Sequence, residues 1–182
     1  YQRWVFGYFS LMVKQEGFLK EIVFPVADVM GTPISLQKLA QRTQLGSHHT
    51  VLEYLQMLED CYALRTLYAM DPNTGALRHK KEKKFYFTDP LLFWIARELG
   101  AGNLAEGQEP KIAEMVAHEF LARTHKRFGY LSTAKGEIDF YLRNEWAIEV
   151  KWSPITHNVS PAFKALRIPD KKIWNQENFL EC

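Results

Sequence analysis

The stretch that most constrains this chain is residues 136–152, GEIDFYLRNEWAIEVKW. If Arg143, Asn144 and Glu145 form a three-residue hairpin loop, Leu142 pairs with Trp146 and side-chain alternation fixes the rest. One face then carries Ile138, Phe140 and Leu142 opposite Val150, Ile148 and Trp146, all apolar. The other carries Glu137 opposite Lys151, Asp139 opposite Glu149, and Tyr141 opposite Ala147. A slip of one residue mixes the two sets, so the register is strongly specified.

That register sets Asp139 and Glu149 side by side with Cβ atoms ~5 Å apart, where like charges destabilise a sheet. Three arrangements relieve the repulsion: one carboxyl keeps a proton, Lys151 neutralises the pair, or a divalent cation bridges it. Mg2+ favours such a site, with one or two carboxylates, waters and a phosphate around it. Lys151, on the same face, would then point at the attacking water or the phosphate, which is the minimum apparatus for metal-assisted phosphodiester hydrolysis. The bland alternative is a solvated polar face, with Glu137 and Lys151 as a weak surface ion pair.

The preceding segment, PKIAEMVAHEFLART, reads as a helix opened by Pro110. Ile112, Val116 and Phe120 form its apolar side. Glu119 falls in the arc between Met115 and Val116 and is the odd buried acid on geometry, whereas Glu114 lies on the more polar side. Ahead of this helix, AGNLAEGQEP is a soft linker and the expected domain boundary. After the hairpin come a loop, a short helix over 161–166 and a last strand over 172–174.

The first half has another organisation. Residues 1–30 read as mostly helix with breaks near Gly7, Gly17 and Pro25. Ser35 caps a short helix over 36–44, Gly46 makes a tight turn, and Ser47 caps a second helix over 48–60 with Val51, Leu52, Leu55 and Leu58 as its stripe. Two helices joined by a glycine turn give a helix-turn-helix. ALRTLYAM then reads as a strand, DPNTG as a turn and KKFYFTD as the returning strand, a winged-helix arrangement. His48, His49, Thr50, Glu53 and Tyr54 could meet a major groove, and Lys80, Lys81, Lys83 and Lys84 could contact phosphates. A protein-contact role for the same module is the alternative. Adjacent helical histidines diverge by about 100°, so His48 and His49 are not read as a metal site. Asp89 caps the helix beginning at Pro90.

Composition narrows the setting. Nearly half the chain is hydrophobic, which suffices for an ordinary core. With 23 basic and 21 acidic residues, a net charge of +2 gives no global attraction for nucleic acid or membrane. Cys61 and Cys182 make no disulfide framework and suit a reducing compartment. No apolar run approaches the ~20 residues that span a bilayer, and no signal segment is visible. The chain starts at Tyr1 without a methionine, so we expect a soluble, cytoplasmic piece of something longer.

Asp139 with the Glu149-Val150-Lys151 triplet resembles the motif of the PD-(D/E)xK nuclease superfamily. More broadly, PISLQKLAQRTQLGSHHTVLEYLQMLEDCYAL, KKFYFTDP, AEMVAHEFLAR and KGEIDFYLRNEWAIEVKW are similar to the C-terminal region of a prokaryotic family of AAA-type ATP-binding proteins. That resemblance implies an α+β or α/β chain in three parts: a helical tail of an upstream ATPase module over 1–30, a winged helix over 31–100, and a truncated restriction-endonuclease-like mixed sheet over 101–182. It implies Asp139 and Glu149 as ligands of Mg2+ or Mn2+, Lys151 as the residue orienting water or stabilising charge, and Glu114, ahead of Glu119, as the further acid. The partners it implies are DNA, the ATPase module and a second copy of the chain, with no membrane. These residues hold no GxxxxGK[ST] loop, so ATP would bind only upstream. Lys164 is a poor match for the extra basic residue that can follow the triplet. A nuclease and a catalytically degenerate binding module therefore both stay open.

Overall fold

The computed structural model describes residues 16–101, 107–153 and 159–180. They form a mixed α and β chain of two compact units. One is Tyr1–Thr66 with Glu82–Glu106, the other Leu67–Lys81 with Gly107–Cys182. The expected hairpin is thus divided, since residues 67–81 group with the second unit.

In the first unit, helix α1 (Glu16–Val29) buries Ile22, Val23, Val26 and Ala27. It passes through Gly17 and Pro25 without the expected breaks, while Gly7 lies outside the described residues. An internal proline sacrifices one ladder bond, and the burial of this face outweighs it, as tertiary packing commonly does in helices. Helix α2 (Leu36–Ala40) is capped by Ser35, whose Oγ accepts the Lys38 amide at 3.2 Å. It ends four residues earlier than the spacing predicts. The Arg42 and Thr43 amides turn back onto the Leu39 and Ala40 carbonyls, and the Thr43 hydroxyl donates to Ala40 O at 2.9 Å. Gly46 adopts φ +74°, a conformation open to glycine at little cost. Ser47 then caps helix α3 (His48–Asp60) by accepting the Thr50 amide at 3.2 Å.

Strands β1 (Leu64–Tyr68) and β2 (Lys83–Phe87) make a two-stranded sheet. Ile34 adds a bridge to Lys83, with reciprocal backbone bonds of 2.9 and 3.0 Å. Helix α4 (Pro90–Ala101) begins where Asp89 Oδ1 accepts the Leu91 amide at 2.7 Å, the expected cap.

The second unit runs helix α5 (Glu109–Thr124), strands β3 (Gly129–Thr133), β4 (Gly136–Leu142) and β5 (Trp146–Val150), helix α6 (Pro161–Ala165) and strand β6 (Asp170–Trp174). The sheet order is β3-β4-β5-β6, antiparallel up to β5 and parallel between β5 and β6. A parallel neighbour requires a crossover, and α6 lies in it.

Residues 67–81 are fastened to this unit. Met70 N donates to Tyr130 O at 2.8 Å, and Met70 joins the cluster of Leu131, Ile138, Tyr141, Ala147, Ala162 and Phe163. Asp71 accepts from the Asn73 and Thr74 amides and from Arg78 at 2.6 Å. Those donors, the Arg78 bond foremost, hold its carboxyl down at about 2. Arg127 donates to Gly75 O at 2.7 Å and Arg143 to Pro72 O at 3.1 Å.

The predicted hairpin loop is present: Leu142 pairs with Trp146, Tyr141 with Ala147 and Phe140 with Ile148, with Asn144 at φ +63°. The predicted faces fail beyond Phe140. Gly129 pairs with Tyr141 but Leu131 with Ile138, so β4 carries an extra residue across from β3. A bulge of this kind breaks alternation. Ile138 accordingly shares a cluster with Tyr141 and Ala147, while Phe140 packs with Phe128 and His118. Helix α5 also turns a different face inward than the wheel predicts. Ala113, Met115, Ala117, His118 and Leu121 are buried, and Ile112, Val116 and Phe120 only partly so.

Candidate functional site

The bulge places Asp139 where its carboxylate reaches along the sheet, and Oδ2 accepts the Val150 amide at 2.9 Å. Glu149 leaves β5 at 1 % exposure, too buried to remain charged without partners. It has them. Lys151 Nζ lies 2.8 Å from Oε1, the Ser160 amide donates to Oε1 at 3.1 Å, and the Ser160 hydroxyl donates to Oε2 at 3.1 Å. Lys151 is itself set in place through its backbone, which donates to Trp174 O at 2.8 Å. Lys151 supplies a neutralising contact to the acidic pair. The expected Glu137–Lys151 pairing is replaced by it, and Glu137 lies opposite Ser132 of β3.

Burial pushes the Lys151 amine down. The bond to Glu149 and the negative charges of Asp139, Glu149 and Glu114 outweigh it and leave the amine above the ordinary lysine range. Asp139, Glu149, Lys151 and Glu114 therefore share one electrostatic neighbourhood. Glu119 pairs with Arg123 at 2.8 Å one helical turn on.

The oxygens of Asp139 and Glu149 are hard donors of the kind Mg2+ or Mn2+ takes. Among the described residues, no three His, Cys, Asp or Glu side chains are grouped closely enough to hold a metal. A cation here would rest on Asp139 and Glu149, with Glu114 contributing charge.

On the helix-turn-helix, His48 and His49 are exposed with ring centroids 4.1 Å apart, and the Thr50 hydroxyl is 3.1 Å from that of Ser47. Tyr54, expected on a groove-facing surface, is instead 2 % exposed beside Val51, Leu55 and Leu58. Its spacing of three and four residues from Val51 and Leu58 puts it on the packed stripe. Lys84 is likewise 0 % exposed, in a strand whose last four residues are all buried. Lys83 is half-buried, and that burial lowers its amine below the ordinary range. Lys80 and Lys81 are exposed.

Ser160 was not singled out by sequence reasoning. The Ser-Pro pair marks a helix start, but the serine's partner Glu149 lies 11 residues earlier in the sequence, with no pattern linking the two.

Residues 13–101 match the profile of a family described as a domain of unknown function (DUF8612). Glu114, Asp139, Glu149 and Lys151 lie beyond that match. No curated protein and no solved structure matches the chain. No helix among the described residues is long and apolar enough to cross a membrane.

Proposed function

We propose that residues 107–180 are a nuclease-like domain of the PD-(D/E)xK kind, in the DNA-interacting C-terminal region of an AAA-type ATPase. The observation that carries this reading is the gathering of Asp139, Glu149 and Lys151, with the charge of Glu114, on an α-β-β-β-α-β frame with a mixed sheet. A bound Mg2+ or Mn2+ would supply Lewis acidity and an acidified water. Asp139 and Glu149 would hold the cation. Lys151 stays charged at neutral pH because three carboxylates surround it, so it serves as a donor to a phosphate oxygen or the attacking water and not as a base. The helix-turn-helix, the Ile34 bridge and the pairing of β1 with β2 support a winged helix, with His48 and His49 as accessible DNA contacts in the first unit and, separately, Lys80 and Lys81 of the 67–81 stretch as exposed phosphate contacts.

Incubating the chain with plasmid and linear DNA in Mg2+ and in Mn2+ tests the reading. Cleavage is expected from the wild type and is expected to be lost in D139A and K151A; equal activity in both variants removes the assignment.

The saturation of Glu149 by Lys151 and Ser160 favours a second reading, a catalytically degenerate module that binds DNA or protein beside the ATPase. It predicts salt-sensitive DNA retention weakened by K80A and K81A, with a salt slope reduced by about 2, and no metal-dependent cleavage.

A further inference from the structure

We infer that Ser160 is a positioning residue that fixes the Glu149 carboxylate for cation binding, an inference that rests on the nuclease-like reading of this site. Ser160 gives Glu149 both its backbone amide, at 3.1 Å from Oε1 and 3.4 Å from Oε2, and its hydroxyl, at 3.1 Å from Oε2. The same hydroxyl accepts the Phe163 amide at 3.1 Å. A serine hydroxyl has one proton, so once its lone pair takes Phe163 the proton is directed at Glu149. Pro161 reinforces the geometry from the other side. The residue before a proline is confined to extended backbone with ψ of about 120–160°, and Ser160 sits at φ −59°, ψ 144°. Its amide and hydroxyl therefore face Glu149 before any ligand arrives.

This separates the two holds on Glu149. Lys151 contributes charge, from a side chain that is one-third exposed. Ser160 contributes neutral donors, from both its backbone and its side chain, that keep the carboxylate oriented. Partners of this kind behind a ligating carboxylate typically govern metal affinity by about 10–100-fold.

The test is a Mn2+ titration of the full chain, followed by electron paramagnetic resonance without DNA, on wild type, S160A, S160G, S160T and D139A. S160G guards against a folding defect, since glycine is well tolerated at a helix cap. We expect S160A and S160G to bind Mn2+ about tenfold more weakly and S160T to stay within about twofold of wild type, because threonine keeps the hydroxyl and the cap. In cleavage assays the loss should appear in the metal concentration required, with kcat regained at saturating Mn2+. Wild-type affinity in both S160A and S160G overturns the inference and leaves the nuclease-like reading standing. A loss in S160T equal to that in S160A overturns it as well. If wild type binds no Mn2+ and matches D139A, the nuclease-like reading itself falls and takes Ser160 with it.

Discussion

Glu149 and Lys151 form a lopsided pair: the carboxylate side chain is 2 % exposed and the lysine side chain 33 %. Removing the lysine strands a buried charge, while removing the carboxylate leaves a cation that can still find water. K151A is therefore expected to lose about 2–3 kcal/mol in urea unfolding, less than the ~3–5 kcal/mol of a fully buried pair because Lys151 is partly solvated. E149Q should lose less than K151A. The pH dependence has a definite sign. The folded amine is raised above 10.5, so its contribution is fully present below that value and is lost as pH rises through the higher folded value. The gap between wild type and K151M should stay constant up to about pH 10 and then close, as urea midpoints measured at stepped alkaline pH would reveal.

Among the elements, the 67–81 segment shows how a loop becomes part of a core. Gly129 is the contact point: a Cβ there would stand 2.6 Å from Tyr68 O and 3.0 Å from the Met70 Cβ. G129A is expected to destabilise the second unit by about 1–3 kcal/mol, the usual cost of overpacking a well-packed interior, seen as an early loss of protection in hydrogen exchange of β3. The turn above it is pinned by Asp71, whose carboxyl is held at about 2 against an ordinary 3.8. A lowered folded pKa gives stability that is complete above about 4 and drains away as pH falls toward 2. D71N should therefore unfold more easily than wild type at pH 6 and match it near pH 2. Elements dictated locally were legible in advance. The hairpin loop at Asn144, the caps at Ser35, Ser47 and Asp89, and the proline-led helices follow from residues adjacent in sequence. The β4 bulge was not, because it depends on which strand lies on the other side. Neither was the inward face of α5, where the small side chains of Ala113 and Ala117 lie buried in place of the larger Ile112 and Val116. The site was legible to the same degree. Alternation pointed to Asp139, Glu149 and Lys151 as neighbours, and they are neighbours although the bulge breaks that alternation; Tyr54 and Lys84 were misjudged because a stripe or a strand buried on all sides carries no polar mark.

Over the whole molecule, the chain builds the second unit from two separate stretches, Leu67–Lys81 and Gly107–Cys182. A fragment of residues 107–182 lacks Met70, the backbone bond to Tyr130 and the anchors that Arg127 and Arg143 find on Gly75 and Pro72. Such a fragment is expected to show a broadened or absent thermal transition where the full chain melts cooperatively. Adding a synthetic 67–81 peptide should restore part of it.

Inheritance is bound by the same arrangement. A crossover between residues 101 and 107 would hand a new owner the acidic site of the second unit without the 67–81 stretch that completes that unit's core. Descendants of this chain can trade both units together or keep both, and a successful graft of the later unit has to carry fifteen residues borrowed from the middle of the earlier one.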